Sequence, residues 1–435
     1  MKVKRLTMRS FRGIDNLTLD FDPNITVLIG NNGVGKSSTL DCLAILLSKF
    51  VAGLQLPPIT TDNYYDGIHE DFYENYTEKQ HFSHSDIAHK AKQISVEVTV
   101  SINSKDLSWG VGIEDPRPED PRRIEPPDED FYDTVSEMRA AIKVDTQFNL
   151  PLALYYPINR SVANALLEIN SQSPSEQLNA YKEALKKKQV TFEGFFMWFR
   201  ALEDLENEER RDDFSHEDIK LKAVRDAVVS FLPGFLNLRV RRSPLRMTVQ
   251  KQGQELIINQ LSDGEKCLLA MVGDLARRLA IANPGLPDPL QGEGVVLIDE
   301  IELHLHPEWQ RRIIPSLTRT FPNCQFIITT HSPQILGEIQ DGIVYRLSSS
   351  PSGVIAEKIQ TYGRDSNQIL EDVMGVSERS PTFKDDLRRL FRLIEDGSLD
   401  EAKKLQQELE HLIKYDEPEF AKSGALIRRK EVLGR

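Results

Sequence analysis

The 435 residues hold only three cysteines, Cys42, Cys267 and Cys324, far apart and each inside an apolar run. They form no even-numbered framework and no metal spacing, so the expectation is three buried free thiols in a reducing compartment, with neither a disulfide scaffold nor a thiolate metal centre. No run approaches 18 consecutive apolar residues, and the basic stretch Met1–Arg5 is followed by no apolar signal core. The reading is a cytoplasmic protein without a leader or a membrane span. Positive charge is also in short supply: 54 Lys and Arg stand against 67 Asp and Glu, a formal net charge of −13. That argues against a general DNA-coating role, although a local basic patch could still meet nucleic acid. The rest of the composition, 40% hydrophobic and 28% charged, is that of a globular chain with ample length for a large core.

The most informative stretch is Gly30–Ser37, Gly-Asn-Asn-Gly-Val-Gly-Lys-Ser, which fits G-x-x-x-x-G-K-[ST]. Its flanks fit as well. Ile25–Ile29 is a short β-branched run suited to a buried strand, and Ser37–Leu47 has helical spacing of apolar residues. A loop between strand and helix presents backbone N–H groups and a positive helix end to phosphate oxygens. Lys36 reaches β- and γ-phosphates and the Ser37 hydroxyl ligates Mg²⁺ in such loops.

In chain order, residues 3–29 alternate as strands, with a turn at Asp22-Pro23-Asn24. Ala52–His89 shows no sustained period and reads as loops and short elements. Ile94–Ile102 alternates strictly and predicts a half-buried strand. Residues 105–139 carry five prolines among eleven acidic and five basic side chains and read as an exposed acidic loop. Leu150–Tyr156 is a buried-strand candidate, and 161–230 is helical and strongly charged. Leu236–Val240 and Arg246–Gln250 predict a hairpin around Ser243-Pro244, with a third strand at Glu255–Ile258. Arg239, Arg241, Arg242 and Arg246 cluster there, either as a solvated strand face or as a phosphate-binding patch.

Gln260–Lys266 contains Ser262 followed three residues later by Glu265, a capping box ahead of a helix over Cys267–Ala282. Val295–Glu300 is a continuous apolar strand ending in two carboxylates. Asp299 is placed to hold Mg²⁺, and Glu300 to polarise an attacking water. Glu302-Leu303-His304-Leu305-His306-Pro307 follows; alternating His304 and His306 point to opposite faces more readily than to one metal. The strand Gln325–Thr330 ends in His331, a candidate γ-phosphate sensor. Strands ending in polar residues, interleaved with helices, predict a mostly parallel α/β sheet with ligand at the strands' carboxyl ends.

The order of these motifs, phosphate loop, Leu261-Ser262-Asp263-Gly264-Glu265, Leu297-Ile298-Asp299-Glu300 and His331, resembles the ABC-type ATPase heads of the SMC/RecF group, and the Glu-x-His-Leu-His-Pro stretch resembles its overcoming-lysogenization branch. The resemblance implies an α/β head with an antiparallel β subdomain, a helical insertion and a short helical tail. The corresponding segments are 1–160, 161–235, 236–360 and 361–435. It implies ATP and Mg²⁺ as cofactors. Arg12, Asn31, Asn32, Gly33, Val34, Gly35, Lys36, Ser37 and Ser38 would hold the nucleotide, and Ser37 and Asp299 the metal. Glu300 would be the catalytic base and His331 the switch histidine. Ser262, Gly264 and Glu265 would reach ATP on the opposite subunit of a head-to-head dimer. The family's Mg²⁺-ligating glutamine has no secure counterpart here; Asn159 is its candidate replacement.

The last 70 or so residues are too few for a Toprim nuclease domain and show no Glu followed by Asp-x-Asp. The pattern Asp365–Val376 with its helical tail resembles PtuA-type ATPases of Septu and retron-associated anti-phage systems. That implies a slow ATPase, not itself a nuclease, acting with a PtuB-type HNH nuclease. A retron reverse transcriptase with its RNA and DNA is a further partner of such systems. The rival expectation is a DNA-repair or DNA-end-binding ATPase of RecF or SMC type. Phe383–Ile394 and Ala402–Ile413 are amphipathic, suited either to closing the fold or to docking a partner.

Overall fold

The computed structural model describes residues 1–55, 82, 86, 88, 93–114, 129–158, 177–186, 192–351, 353–413 and 415–433. The chain divides into two compact units, Met1–Arg364 and Asp365–Arg435.

The larger unit begins with β1 (Lys2–Phe11) and β2 (Ile14–Asp20), which pair antiparallel. Then β3 (Ile25–Gly30) delivers the chain to the phosphate loop, and α1 (Lys36–Gln55) leaves it. By length and composition α1 could cross a membrane, but 78% of that stretch is buried inside the protein, so it is a core helix. β4 (Gln93–Ile102) and β5 (Lys105–Glu114) complete a four-stranded antiparallel sheet, ordered β2-β1-β4-β5.

The acidic loop expected over 105–139 is largely regular structure. β5 occupies its start, and α2 (Glu129–Val144) its end; residues 115–128 lie outside the described residues. Apolar positions spaced among charges explain the difference. In β5, Leu107, Trp109 and Val111 alternate inward and are buried. In α2, Phe131, Val135 and Met138 recur at helical spacing and are buried too. Trp109 donates its Nε1–H to Leu46 O at 2.8 Å, and its ring lies 4.8 Å from that of Phe131. Most of 52–89, expected as loops, lies outside the described residues, as does Asn159.

The second sheet of the larger unit has six strands. β6 (Leu152–Tyr156), β10 (Gly294–Ile298), β11 (Cys324–Thr329), β12 (Ile343–Ser350) and β13 (Gly353–Ile359) join β3 in the order β13-β12-β3-β11-β10-β6. All its pairings are parallel except β12 with β13. β6, β10 and β11 are buried throughout, as continuous apolar strands covered on both faces must be. The three cysteines are buried, and none forms a disulfide.

The expected hairpin forms as β7 (Phe235–Arg242), β8 (Leu245–Lys251) and β9 (Gln254–Ile257). Within the charged helical stretch, α3 (Phe192–Glu209) and α4 (Ile219–Phe231) belong to the larger unit. Buried Glu203 and Glu206 tie them together: Arg225 donates to both oxygens of Glu206 at 3.0 Å, and Val240 N donates to Glu203 at 2.9 Å. Two carboxylates survive burial because each is paired. α5 (Asp263–Ala282) packs on β6, and α6 (Pro307–Thr320) connects β10 to β11.

The smaller unit is three helices, α7 (Pro381–Glu395), α8 (Leu399–Leu412) and α9 (Pro418–Leu433), preceded by a short helical turn at Ser366–Val373. Leu387, Leu390, Ile394, Leu409, Phe420 and Ile427 form its core, so the two amphipathic stretches expected in the tail face inward within this unit.

Candidate nucleotide site and its signature helix

The parallel register aligns four strand ends on one edge. Leu28 lies beside Thr329, and Ile298 beside both Ile328 and Tyr156. The loop after β3, Asp299–Glu300 after β10 and Thr330–His331 after β11 therefore converge there, as ligand-binding loops of open α/β sheets do.

In the phosphate loop Gly30, Gly33 and Gly35 all hold positive φ. At Gly30 the need is strict: φ is +144°, and a Cβ would sit 2.3 Å from Leu347 O. Asn31, Asn32 and Gly33 are exposed, Val34 is buried, and Gly35, Ser37 and Ser38 are half-buried. Lys36 opens α1 and folds back, donating from Nζ to Gly30 O at 2.8 Å and Asn31 O at 3.1 Å. Burial lowers its pKa, against the pull of Glu300, Asp299 and Glu302. Ser37 and Ser38 occupy the first turn of α1, where backbone N–H groups are free of intrahelical bonds.

The carboxylates are laced to the end of β11. Thr329 Oγ1 donates to Asp299 Oδ1 at 2.5 Å and accepts from Glu300 N at 2.7 Å. Asp299 is buried. Glu300 takes φ of +46°, an unusual conformation for a side-chain-bearing residue and one that clusters at functional sites. Two residues on, Glu302 accepts from Thr330 Oγ1 at 2.8 Å and from His331 N. The His331 ring nitrogen Nε2 is buried with no hydrogen-bond partner among the described residues. His306 acts locally, with its Nδ1 accepting from Glu308 N at 3.3 Å to cap α6.

Arg12 is held by two carboxylates. Its guanidinium donates to Asp41 on α1 at 2.5 Å and to Asp86 at 2.7 Å. Burial works against its charge, and these partners outweigh it. Asp41 also accepts from the Tyr155 hydroxyl at 3.0 Å, which joins α1 to β6. So Arg12, in the turn between β1 and β2, is braced by two acids and tied through Asp41 to the helix that leaves the loop.

The signature segment folds as its spacing predicts. Ser262 Oγ accepts from Glu265 N, and the Glu265 carboxylate accepts in return from Ser262 N at 3.1 Å, a closed capping box at the start of α5. Lys251 on β8 donates to Glu265 at 2.5 Å. Burial raises the Glu265 carboxyl, but Lys251 and Ser262 outweigh it and hold it below the usual range. Ser262 and Asp263 are exposed. Gly264 is required by close approach: a Cβ would lie 2.5 Å from His304 O, in the segment that follows Glu300. Further along α5, Asp274 is buried against Arg277, Arg278 and the Tyr156 hydroxyl. Burial opposes its charge, yet the arginines hold its carboxyl down at about 2. α5 thus runs from an exposed cap to a buried bond with β6.

The three hairpin arginines on β7 are compensated, whereas Arg246 Nε on β8 is buried with no hydrogen-bond partner among the described residues. Arg239 and Arg241 both bond Glu255, and Arg242 bonds Glu203 and Asp204.

Sequence reasoning passed over Thr329, Glu302, Asp41, Tyr155 and Lys251. Only Glu302 carried a local signal, a third acid two residues after the Asp–Glu pair. The others gain their roles from partners far away in the chain.

The chain is 30% identical to the Retron Ec83 probable ATPase of Escherichia coli, over 88% of this chain and 78% of that protein. It is 30% identical to the Retron Vc95 probable ATPase of Vibrio cholerae, over 77% and 71%. The Septu protein PtuA of Bacillus thuringiensis matches at 30% over 39% of this chain and 47% of its own. A solved SMC head domain from Thermotoga maritima superimposes with a TM-score of 0.43 at 14% identity, over 83% of this chain and 100% of that one, too loosely to carry an argument. A family model matches residues 25–337, the span from β3 through both carboxylates to His331, and the chain belongs to that family, described as AAA domain, putative AbiEii toxin, Type IV TA system.

Proposed function

We propose that this chain is an ATP-hydrolysing regulatory subunit of an anti-phage defence complex. The observation that carries the reading is the convergence of Lys36, Asp299, Glu300 and His331 at one sheet edge, in a chain similar along most of its length to retron ATPases. Asn31–Ser38 would hold the ATP phosphates through backbone N–H groups and Lys36, with Arg12 bracing the loop from Asp41. Ser37 and the second oxygen of Asp299 would hold Mg²⁺. Asp299 Oδ1 is already bonded by Thr329, which fixes the carboxylate for that role. Mg²⁺ supplies charge neutralisation on the phosphates. Glu300 would take a proton from the attacking water, and His331 Nε2 would face the terminal phosphate.

Ser262 and Gly264 would complete the site on a second copy of the chain, making head pairing depend on nucleotide. Pairing would in turn hold or release an HNH nuclease of PtuB type, the effector expected for the Septu-like relatives, with a retron reverse transcriptase and its nucleic acid as further components. Glu300→Gln is expected to keep ATP bound, stall turnover by about a hundredfold or more and accumulate the paired form. Unchanged turnover in that variant would sink the role given to Glu300. Co-purification of the tagged chain with the products of neighbouring genes, with and without ATP, tests the partner. Recovery of a small HNH protein, with cutting only in its presence, supports the reading. A DNA-end-binding repair ATPase instead requires duplex binding by the chain alone that weakens steeply with salt. The compensated arginines of β7 offer it little.

A further inference from the structure

The loop after β10 and the loop after β11 are joined by a series of bonds that climbs from Asp299 to His331. Thr329 Oγ1 bonds Asp299 and Glu300 N; Ile301 N donates to Thr329 O at 3.1 Å. The next rung is Glu302 alone. One of its oxygens accepts from the Thr330 hydroxyl and the other from the His331 backbone N–H. Beyond it, Ser332 N donates to Thr330 Oγ1 at 3.0 Å, and Ser332 Oγ donates to Gln310 at 2.7 Å. Thr330 N also donates to Leu28 O at 3.3 Å, but among the described residues the hydrogen bond made by the backbone of His331 itself is to Glu302. The ring is the exception: Nε2 is buried and has no hydrogen-bond partner among the described residues. A buried ring nitrogen without a partner is costly unless another group completes it.

From this geometry we infer that Glu302 is the positioning residue for His331, gripping its backbone so that Nε2 is aimed at the terminal phosphate. The inference rests on the ATPase reading above and adds a residue to it. In this reading Glu302 is not a ligand of the nucleotide, although its charge also acts on Lys36; it works through His331. Its carboxylate suits this role because two oxygens, about 2 Å apart in any carboxylate, can accept at once from a hydroxyl and the next residue's N–H. Shortening it to Asp, or replacing one oxygen by an amide nitrogen in Gln, leaves one of the two donors unmatched.

The test is a double-mutant cycle on the full-length chain. Glu302→Ala and His331→Ala are each expected to lower kcat about a hundredfold, with binding of a fluorescent ATP analogue unchanged within about twofold. The double variant is expected to be no slower than either single one, since a residue that acts only through His331 has nothing left to do once the ring is gone. Glu302→Gln is expected to fall between wild type and Glu302→Ala, which keeps the question answerable if the alanine variant folds poorly. Multiplicative losses in the double variant, or a loss of nucleotide binding that parallels a lowered Tm, overturn the assignment in favour of a structural role. Wild-type turnover in His331→Ala overturns it while leaving the ATPase reading standing. Failure of the wild-type chain to hydrolyse ATP at all overturns that reading, and this inference with it.

Discussion

At the carboxyl edge of the parallel sheet, Lys36 and Asp299 are buried, and the loops around them are laced together by side chains from strands far apart in the chain. At the start of α5, Ser262 and Asp263 lie exposed, held by their own capping box and one ion pair from β8. The first region is organised from within: its charges sit in a low-dielectric setting where each interaction is strong and each unpaired group costly. The second is exposed at a helix N-terminus, with its hydroxyl engaged in the capping box. On the proposed function, the contrast is that of a site that would prepare chemistry and a surface that would meet ATP held by a second copy. α5 connects them, since Asp274 fastens the helix to Tyr156 on the same strand edge.

That comparison can be broken in several ways. Lys36→Ala strikes the buried region and is expected to weaken ATP binding by at least about a hundredfold, read by equilibrium binding. Retained affinity would remove the loop from the nucleotide. Asp274→Asn cuts the link, and with two arginines left buried and uncompensated it is expected to cost about 3 kcal/mol of stability, read by denaturant unfolding. In the wild type the same pair makes stability pH-dependent. The Asp274 carboxyl is lowered in the folded chain to about 2 from the 3.8 of a free aspartate. Its contribution, on the order of 2 kcal/mol, is therefore complete above pH of about 4 and is lost as pH falls toward 2. Asp274→Asn is expected to flatten that acid limb.

Ser262→Ala strikes the exposed region. It is expected to cost about 1 kcal/mol as a lost cap, to leave ATP affinity of the single chain unchanged, and to diminish ATP-dependent pairing measured by sedimentation. A parallel loss of both binding and pairing would erase the distinction between the two regions. Lys251→Met is the smallest change. Its ion pair with Glu265 is partly exposed, so roughly 0.5 kcal/mol or less is expected.

The legible parts of the molecule were those whose signals are local. The phosphate loop was readable because glycines, lysine and serine follow one another between an apolar run and a helical one. Asp299 and Glu300 were readable because a strand buried on both faces has no other reason to end in two acids. The capping box at Ser262 was readable from a spacing of three. Where charge density masks periodicity the reading failed: β5 and α2 lay inside a segment that composition assigned to solvent, although Leu107, Trp109, Phe131 and Val135 mark their buried faces. Arg12 was singled out, but its two acids were not, because Asp41 is 29 residues away and Asp86 is 74.

By itself the amino-acid sequence determined the period of each strand and helix, the turn glycines and the order of the chemical groups, since these depend on neighbours within a few residues. Only the tertiary structure decided that Thr329 fixes Asp299, that Glu302 grips the His331 backbone and that Asp274 anchors α5 to β6. Those partnerships form when parallel register and burial bring distant residues together, and a desolvated charge or N–H is stable there only beside the group that completes it.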